Sequence, residues 1–413
     1  MMRYKLGLLA LFSLFFVCIA ASCAVNEAEE ANISDIAKSE HITDDLTTGK
    51  LQDKTQYTDT ENTELETDKI KQAGIDIESV KDLPLSDKSF AASDEYVKTL
   101  GRNIFKNDIR MFTYTCSGIE FEFVGTSASI DVICGGKARV AVYVNDELTE
   151  DIILDKGETS LDVFSANEAQ YSKITFRKLS EMGNNYVGVK GINVMSQGMI
   201  YPSAEKAHSI EYIGDSVTCG YGIDNDDFGN GSKSYAVLTA ERLDVDYSIC
   251  ACGGIGVYSA YTEGNTPNRD SLIGELYDKQ VIDNEIWDFS QQYDLVVINI
   301  GSNDNVWVRG IDEREQRFGE AYYEFIAQVR EANPDAYIIC SYGVLSTGLM
   351  DEIRKQADRY SSENGDNKLY CFEYELQDIV RDGYGTNYHP SAKTHENMAN
   401  ALSAYISELL GWE

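Results

Sequence analysis

The chain has 413 residues, of which 43% are hydrophobic and 25% charged, a composition typical of two or three globular domains. Its formal net charge of −34 argues against a nucleic-acid-binding protein, because no basic stripe is present to neutralise phosphates. An acidic surface also repels anionic polymers and lipid headgroups, whereas a neutral polymer meets no such repulsion.

The N-terminus has the pattern of an export signal. Two basic residues, Arg3 and Lys5, precede the apolar run 6–21, which is too short for a stable membrane span. The sequence A-A-S-C at 20–23 resembles a bacterial lipoprotein cleavage box and predicts Cys23 as the lipidated residue. Simple secretion, with cleavage beside that cysteine, is the alternative. Both predict an exported bacterial protein, and we expect contact with a membrane only if Cys23 carries the lipid anchor.

The segment 24–95 follows the predicted signal 1–23 and is strongly acidic. It contains 19 Asp or Glu residues and 7 Lys or Arg residues, with many small polar residues between them. Such a composition cannot bury enough apolar surface to offset the entropy of ordering, and self-repulsion extends it. We therefore predict a disordered linker, in which residues 70–85 could form a short helix or strand against the folded body.

Residues 96–203 alternate in polarity as strands do. The runs 118–125 and 128–132 both have period two, and further short strands are separated by Gly, Asn and Asp. Many short strands with such turns predict a β-sandwich of jelly-roll type. This region contains no histidine and no recognisable catalytic group of residues.

Residues 204–413 change to an alternation of strands and helices. Strands are predicted at 209–214, 247–251, 295–300, 337–342 and 369–372, and helices at 234–243, 316–332, 347–363 and 392–410. This order predicts a parallel sheet with helices on both faces, an αβα domain of three layers.

Seven cysteines follow the predicted signal and its cleavage site, an odd number that cannot form a complete disulfide framework. Several lie in or beside predicted buried strands, where cysteine behaves as a small hydrophobic residue. The C-A-C sequence at 250–252 lacks a second pair of ligands at metal-binding spacing, so we predict neither a metal nor another cofactor.

The stretch 210–222, I-E-Y-I-G-D-S-V-T-C-G-Y-G, places Ser216 where a parallel strand ends at a tight turn before a helix. Side chains at this edge of an open α/β sheet face the ligand. We interpret Ser216 as a nucleophile whose own N–H can stabilise an oxyanion. The alternative is a serine N-cap on an ordinary helix, with Asp215 as a turn former.

Three later segments place polar groups at the same edge. Gly254 follows the second strand, in C-G-G-I-G, and Asn303 follows the third, in G-S-N-D. His389 follows the last strand and is the base by elimination, because the other three histidines lie in the linker, before the first strand and inside the last helix. These positions predict acyl transfer: Ser216 attacks an ester carbonyl, His389 takes its proton, and the N–H groups of Ser216 and Gly254 with the Asn303 amide bind the oxyanion.

These residues resemble the four conserved blocks of the SGNH, or GDSL-type, hydrolases. The longer sequences G-D-S-V-T-C-G-Y-G, V-V-I-N-I-G-S-N-D and Y-H-P-S-A-K-T-H resemble carbohydrate esterase family 2, and G-I-E-F-E-F-V-G-T-S-A-S-I-D-V resembles the first domain of that family. The resemblance spans about residues 97–413. It implies a jelly-roll domain joined to an SGNH domain, and metal-free removal of O-acetyl groups from plant cell-wall glycans such as xylan or glucomannan.

One position departs from the family pattern. SGNH hydrolases usually carry an aspartate three residues before the histidine, and here that residue is Thr386, followed by Asn387. Some family members resemble a Ser–His dyad in which a backbone carbonyl orients the ring. We hypothesise that arrangement here, with Asp382 as the alternative third member.

Two residues near the predicted oxyanion hole are candidates for substrate binding. Trp307 could stack on a sugar, and Asp304 could bind substrate or brace its turn. The tyrosines nearby are better explained by packing. We expect a monomer whose partner is an acetylated polysaccharide. A glycan-binding protein with weakened turnover and a lipid or thioester esterase on the same scaffold are the alternatives.

Overall fold

A computed structural model describes residues 77–182, 185–224, 228–280 and 285–412. The predicted signal peptide, the lipidation of Cys23 and the predicted linker up to residue 76 lie outside these residues. No helix in the described part of the chain is both long and apolar enough to cross a membrane.

Residues 77–202 form a domain built almost entirely of strands, here called the sheet domain. A short helix α1 (Ile77–Val80) precedes strands β1 (Leu85–Phe90), β2 (Lys98–Leu100), β3 (Ile104–Lys106), β4 (Ile109–Phe112), β5 (Gly118–Cys134), β6 (Ala138–Val144), β7 (Glu147–Leu154), β8 (Gly157–Lys178), β9 (Val187–Gln197) and β10 (Tyr201–Pro202).

All strand pairs of the sheet domain are antiparallel. The main order is β3-β4-β9-β5-β8-β6-β7, with β1 paired to β9, and β2 and β10 paired to β5. The long strands β5 and β8 join all ten strands into one hydrogen-bonded sheet, with register shifts near Gly125 and Ala128. Alternate residues such as Phe121, Phe123 and Phe176 form a separate apolar core, as the period-two pattern predicts.

The sheet domain begins earlier than the composition indicated. Strand β1, which lies in the stretch predicted to be disordered up to residue 95, pairs with β9 from Leu85↔Gln197 to Phe90↔Ile192. Prediction failed here because this segment has few apolar side chains. The unpaired backbone N–H and C=O groups at a sheet edge can bind a strand of almost any sequence. The proposed contact of residues 70–85 with the folded body is confirmed for its described part, where Val80 is buried.

Residues 209–412 form the second domain, here called the α/β domain. Its strands are β11 (Ser209–Gly214), β12 (Asp246–Ala251), β13 (Lys279–Gln280), β14 (Glu285–Ile286), β15 (Leu295–Asn299), β16 (Tyr337–Tyr342) and β17 (Leu369–Glu373). Its helices are α2 (Ser216–Cys219), α3 (Tyr235–Arg242), α4 (Ile273–Tyr277), α5 (Ser302–Val308), α6 (Asp312–Ala332), α7 (Met350–Asn364) and α8 (Ala392–Leu410).

Five of these strands form a parallel sheet in the order β12-β11-β15-β16-β17. Alternate residues of β15 face opposite sides, so that Val296 and Ile298 join one apolar cluster while Leu295 and Val297 join another. Helices α6 and α7 cover the first face, and α3 and α8 cover the second. The predicted three-layer αβα domain with a parallel sheet is confirmed, and the region predicted to be a β-sandwich of jelly-roll type is a sheet-rich antiparallel domain.

A buried ion pair joins the two domains. Arg102 of the sheet domain donates to Glu211 on β11 at 2.9 Å and to the carbonyl of Tyr277 at 2.6 Å, and the Tyr277 hydroxyl donates to Glu211 at 2.9 Å. Arg102 and Glu211 are both almost fully buried. Removing one partner of such a pair would leave an uncompensated buried charge, which costs about 3–5 kcal/mol, so the two domains depend on each other at this contact.

The seven described cysteines are all free thiols, and six of them are buried. This agrees with the prediction that they act as small hydrophobic residues.

Candidate active site

The first loop of the site, here called the nucleophile turn, comprises residues 214–220. Asp215 caps helix α2, its Oδ1 accepting from the backbone N–H of Val217 at 3.0 Å, and Gly220 ends the helix with a φ of 74°. A Cβ on Gly214 would lie 2.1 Å from Thr218 Oγ1, so the turn requires glycine there. The alternative interpretation of Ser216 as an N-cap is therefore wrong, because Asp215 is the cap and Ser216 is the first helical residue.

Ser216 and His389 lie in direct contact. Ser216 Oγ is 2.9 Å from His389 Nε2, and His389 Nδ1 is 3.2 Å from the carbonyl oxygen of Thr386. When Nδ1 carries the proton and donates to that carbonyl, Nε2 is left to accept from the serine. The ring of Tyr221 lies edge-on to the imidazole, with centroids 4.8 Å apart. The contact is the geometry expected of a nucleophile and its general base.

The carboxylate of Asp382 lies elsewhere. It pairs with the guanidinium of Arg381, and it accepts from Asn397 Nδ2 at 3.2 Å. The Asp382 backbone carbonyl accepts from Ser391 Oγ at 2.7 Å, so this residue holds the start of helix α8. Asp382 as third member is thus corrected by the structure, in which a main-chain carbonyl occupies the place of the acid.

Burial lowers the pKa of His389 to about 4, and the carbonyls of Thr386 and Asn387 oppose that shift. An imidazole with this pKa is neutral at pH 7, the form in which Nε2 can take a proton. Without a buried carboxylate beside it, the ring lacks the partner that usually stabilises imidazolium.

Strand register brings the second and third loops to the nucleophile turn. Gly214 pairs with Ala251 on one side and with Asn299 on the other. Ser216 and Gly253 each follow two residues after the first pair, so both lie at the carboxyl edge of the sheet. The second loop comprises residues 252–260, and the third comprises residues 300–304.

Side chains tie these loops together. Asn303 Nδ2 donates to the carbonyl of Ile255 at 2.8 Å, which links the third loop to the second. Ser302 Oγ donates to Asp215 Oδ2, which links the third loop to the nucleophile turn. An amide NH₂ has two hydrogens, so Asn303 retains a second donor after its bond to Ile255. Its predicted place in an oxyanion hole, with Gly254 and Ser216, stays a prediction.

Asp304 braces the second loop. Its carboxylate accepts from the backbone N–H groups of Val257, Tyr258 and Ser259 at 2.9, 2.8 and 2.7 Å. It is completely buried, which raises its pKa to about 6, while the three N–H groups oppose the shift. Of the two roles left open by the sequence, the structure supports the brace rather than substrate binding.

Trp307 was expected to stack on a sugar, and this expectation is wrong. The side chain is 3% exposed, its Nε1 donates to the carbonyl of Asn265 at 3.0 Å, and its ring lies in the apolar core beside Tyr258. Helix α5 turns the residue inward, a direction that sequence position alone did not reveal. Tyr388, beside the catalytic candidate His389, is instead 41% exposed, and its ring stacks on Tyr384 with centroids 4.7 Å apart.

The hypothesised dyad, in which a backbone carbonyl orients the ring, agrees with the structure, which identifies that carbonyl as the one of Thr386. Sequence reasoning missed Ser302, a component of G-S-N-D whose hydroxyl donates to Asp215. In the part of the chain that the structure describes, no group of three or more His, Cys, Asp or Glu residues is arranged to hold a metal ion.

Two family models match the chain. Residues 99–203 match the carbohydrate esterase 2 N-terminal domain, and residues 212–396 match the GDSL-like lipase/acylhydrolase family. Their order agrees with that of the sheet domain and the α/β domain, and each covers most of its domain.

Proteins that are similar to this chain in sequence or in structure are named as esterases. A cellulase/esterase, CelE, of Acetivibrio thermocellus is 30% identical over 310 residues, which are 72% of this chain and 37% of that protein, so the chain spans little over a third of this relative. An acetylxylan esterase/glucomannan deacetylase of Cellvibrio japonicus is 22% identical over 81% of this chain and 94% of that protein. A family two carbohydrate esterase from Clostridium thermocellum, solved with cellohexaose, has a TM-score of 0.70 at 28% identity, covering 77% of this chain and 100% of that one.

Proposed function

We propose that this chain, which belongs to carbohydrate esterase family 2, is a serine esterase that removes O-acetyl groups from plant cell-wall polysaccharides such as acetylated xylan or glucomannan. The observation that carries the proposal is the 2.9 Å contact between Ser216 Oγ and His389 Nε2 at the carboxyl edge of the parallel sheet. The relatives that match both domains are named as esterases and deacetylases of this kind.

The reaction has two halves. In the first, His389 Nε2 takes the Ser216 proton while Oγ attacks the acetyl carbonyl, and the tetrahedral intermediate collapses with return of that proton to the departing sugar hydroxyl. In the second, His389 deprotonates a water that attacks the acetyl-enzyme, and acetate leaves as Ser216 regains its proton. The Thr386 carbonyl holds the imidazole in the required tautomer through both halves.

The oxyanion forms twice and needs hydrogen-bond donors each time. We assign this role to the backbone N–H groups of Ser216 and Gly254 and to the remaining Asn303 amide hydrogen. Each such donor commonly contributes about 3–4 kcal/mol to transition-state stabilisation. The bonds that hold Asn303 and Asp215 fix these donors before substrate arrives, so little reorganisation is required during reaction.

The test is acetate release from a panel of acetylated xylan, acetylated glucomannan and 4-nitrophenyl acetate, with the Ser216→Ala variant as control. We expect acetate from at least one glycan at a rate that falls more than about 1000-fold in the variant. Glycan binding with no serine-dependent release would contradict the proposal and favour a binding protein. Faster hydrolysis of long acyl chains than of acetyl would favour a lipid esterase.

We also propose that the protein is exported and anchored through Cys23, with free secretion as the alternative. The apolar run 6–21 and the A-A-S-C sequence at 20–23 support this proposal. Metabolic labelling with palmitate in a bacterial host should label the native chain and leave a Cys23→Ser variant unlabelled. Secretion of an unlabelled native chain into the medium would contradict the anchor.

A further inference from the structure

A buried carboxylate from the sheet domain reaches the second loop of the active site. Glu181 follows β8, is 8% exposed, and its Oε2 accepts from the backbone N–H of Gly253 at 3.1 Å. Gly253 directly precedes Gly254, to which we assign an oxyanion-binding N–H. The carboxylate therefore contacts the peptide immediately before a donor of the proposed reaction.

The backbone around Glu181 is itself held in place. Lys178 Nζ, completely buried, donates to the carbonyls of Ser180 and Glu181 at 2.7 Å each. The carbonyl of Leu179 accepts from Thr115 Oγ1 at 2.7 Å and from the N–H of Gly231 at 3.1 Å. Since Gly231 belongs to the α/β domain, the segment 178–181 is fixed from both domains and can act as a rigid support.

Backbone hydrogen bonds also hold the residues on either side of Gly253 in the second loop. Its Cys252 N–H donates to the carbonyl of Gly214 at 3.4 Å, and the Gly254 carbonyl accepts from the Tyr261 N–H at 2.8 Å. A Cβ on Gly253 would lie 2.8 Å from Glu181 Oε2, which shows how closely the carboxylate approaches the loop. Gly254 has a φ of +76°, which glycine adopts without steric cost, and since glycine also has other conformations open to it, its backbone alone does not fix the N–H in one direction.

We propose that Glu181 is a positioning residue for the oxyanion hole: its carboxylate fixes the Gly253 peptide so that the next N–H, that of Gly254, is aimed at the developing oxyanion. This inference rests on the proposed esterase function. It gives the sheet domain, which carries no catalytic side chain, a part in the chemistry of the neighbouring domain. Glu181 transfers no proton in this role and acts only as a hydrogen-bond acceptor.

The test compares two substitutions that separate acceptor from charge. Glu181→Gln keeps an oxygen at the same reach and loses the charge, whereas Glu181→Asp keeps the charge and withdraws the oxygen by one methylene. We expect Glu181→Asp to lower kcat about 10- to 100-fold with KM changed less than about twofold, because misplacement by about 1 Å has effects of this size on the reacting geometry. Glu181→Gln should stay within about threefold of the native kcat.

Glu168→Ala provides the matched control, since Glu168 lies on β8 of the same domain with an exposed side chain. It should leave kcat, KM and the unfolding temperature unchanged. Gly253→Ala, whose methyl would press against the carboxylate, should lower kcat as Glu181→Asp does, and the double variant should be no slower than the worse single one, because both remove one interaction.

Equal kcat losses in the Gln and Asp variants, unchanged kcat in Glu181→Asp, or a loss confined to KM would each overturn the proposal. If Glu181→Asp fails to fold, Gly253→Ala and Glu181→Gln still decide it through their opposite expected results. Failure of the esterase proposal is distinguishable, because the native protein would then release no acetate in a Ser216-dependent manner. An active native enzyme with an indifferent Glu181 would contradict only this inference.

Discussion

The nucleophile turn and the loop that carries His389, residues 374–390 and here called the histidine loop, bring their side chains to one point by different means. All four residues of helix α2 in the nucleophile turn are buried. In the histidine loop, by contrast, Val380 is 93% exposed and Tyr384 is half-exposed, although His389 in the same loop is buried. Strand register and core packing locate the nucleophile, whereas a few backbone bonds locate the base.

Those backbone bonds are identifiable. The N–H of Thr386 donates to the carbonyl of Gly222 at 2.9 Å, that of His389 donates to Thr386 at 3.1 Å, and that of Gly385 donates to His389 at 2.8 Å. Asn387 and Tyr388 have φ values of 53° and 60°, in the left-handed region that non-glycine residues rarely adopt. The position of the His389 imidazole therefore depends on a few backbone hydrogen bonds, which a small change in the backbone can disturb.

Of the variants that test this comparison, the largest effect is expected in the third loop, which is hydrogen-bonded to the nucleophile turn. Asn303→Ala removes both the bond to Ile255 and the proposed oxyanion donor, so kcat for acetate release should fall about 100-fold. Steady-state kinetics on the best acetylated glycan, with circular dichroism to confirm folding, measures it. Asn305→Ala is the control, because that residue lies on the same helix and donates to Ser346 Oγ at 3.1 Å, outside the site. A folded Asn303→Ala enzyme with near-native kcat would show that Asn303 does not donate to the oxyanion.

A second prediction concerns the contact between Gly222, which follows the nucleophile turn, and Thr386 of the histidine loop. A Cβ on Gly222 would lie 3.0 Å from both the N and the O of Thr386, so Gly222→Ala should displace the carbonyl that orients His389. We expect kcat to fall about 10-fold, on the scale of misplaced catalytic groups.

Gly383→Ala is the matched control for Gly222→Ala. Gly383 has a φ of +72°, close to the +74° of Gly222, but nothing lies within 4 Å of its Cβ position. Both variants carry the same backbone strain of about 1–2 kcal/mol, and only one should slow the reaction. Equal kcat losses would show that strain rather than contact matters.

The pH profile tests the electrostatics of the base. Burial lowers the pKa of His389 to about 4, so the reactive neutral imidazole persists as the pH falls and is lost only as the pH passes through that value. At pH 5 about nine-tenths of such a base is neutral, compared with a few per cent for an imidazole of ordinary pKa. The acid limb of kcat/KM should therefore lie near pH 4. A limb near pH 6.5 would contradict a desolvated base.

The smallest effect is expected at Asp382. Its carboxylate pairs with Arg381 and Asn397 rather than with the imidazole, and its carbonyl bond to Ser391 survives substitution. Asp382→Ala should therefore change kcat by less than about threefold, because the carboxylate that it removes contacts neither Ser216 nor His389. A loss comparable to that of His389→Ala, measured side by side in one assay, would restore a carboxylate triad.

The spacing of apolar residues along the sequence predicted the helix and strands of the α/β domain with nearly correct bounds. The predicted helix at 392–410 has the bounds of α8, and the five predicted strands of the α/β domain lie within one or two residues of β11, β12, β15, β16 and β17. These elements are long and strongly patterned, so burial of one face decides them. Strand β1 escaped prediction because a sheet edge can pair an acidic segment through backbone atoms alone.

The sequence by itself determined which chemical groups the site could contain: one serine at a strand end, one histidine in position to serve it, and an amide and glycines at neighbouring strand ends. Only the tertiary structure decided which of them meet. It buries Trp307 in the core, directs the Asp304 carboxylate to the backbone of the second loop, and pairs Asp382 with Arg381. It also identified the carbonyl of Thr386 as the one that orients the ring of His389. The reason is physical: side-chain type is written in the sequence, but the direction of a side chain or a main-chain carbonyl is set by the packing and hydrogen bonds of residues far apart in the chain.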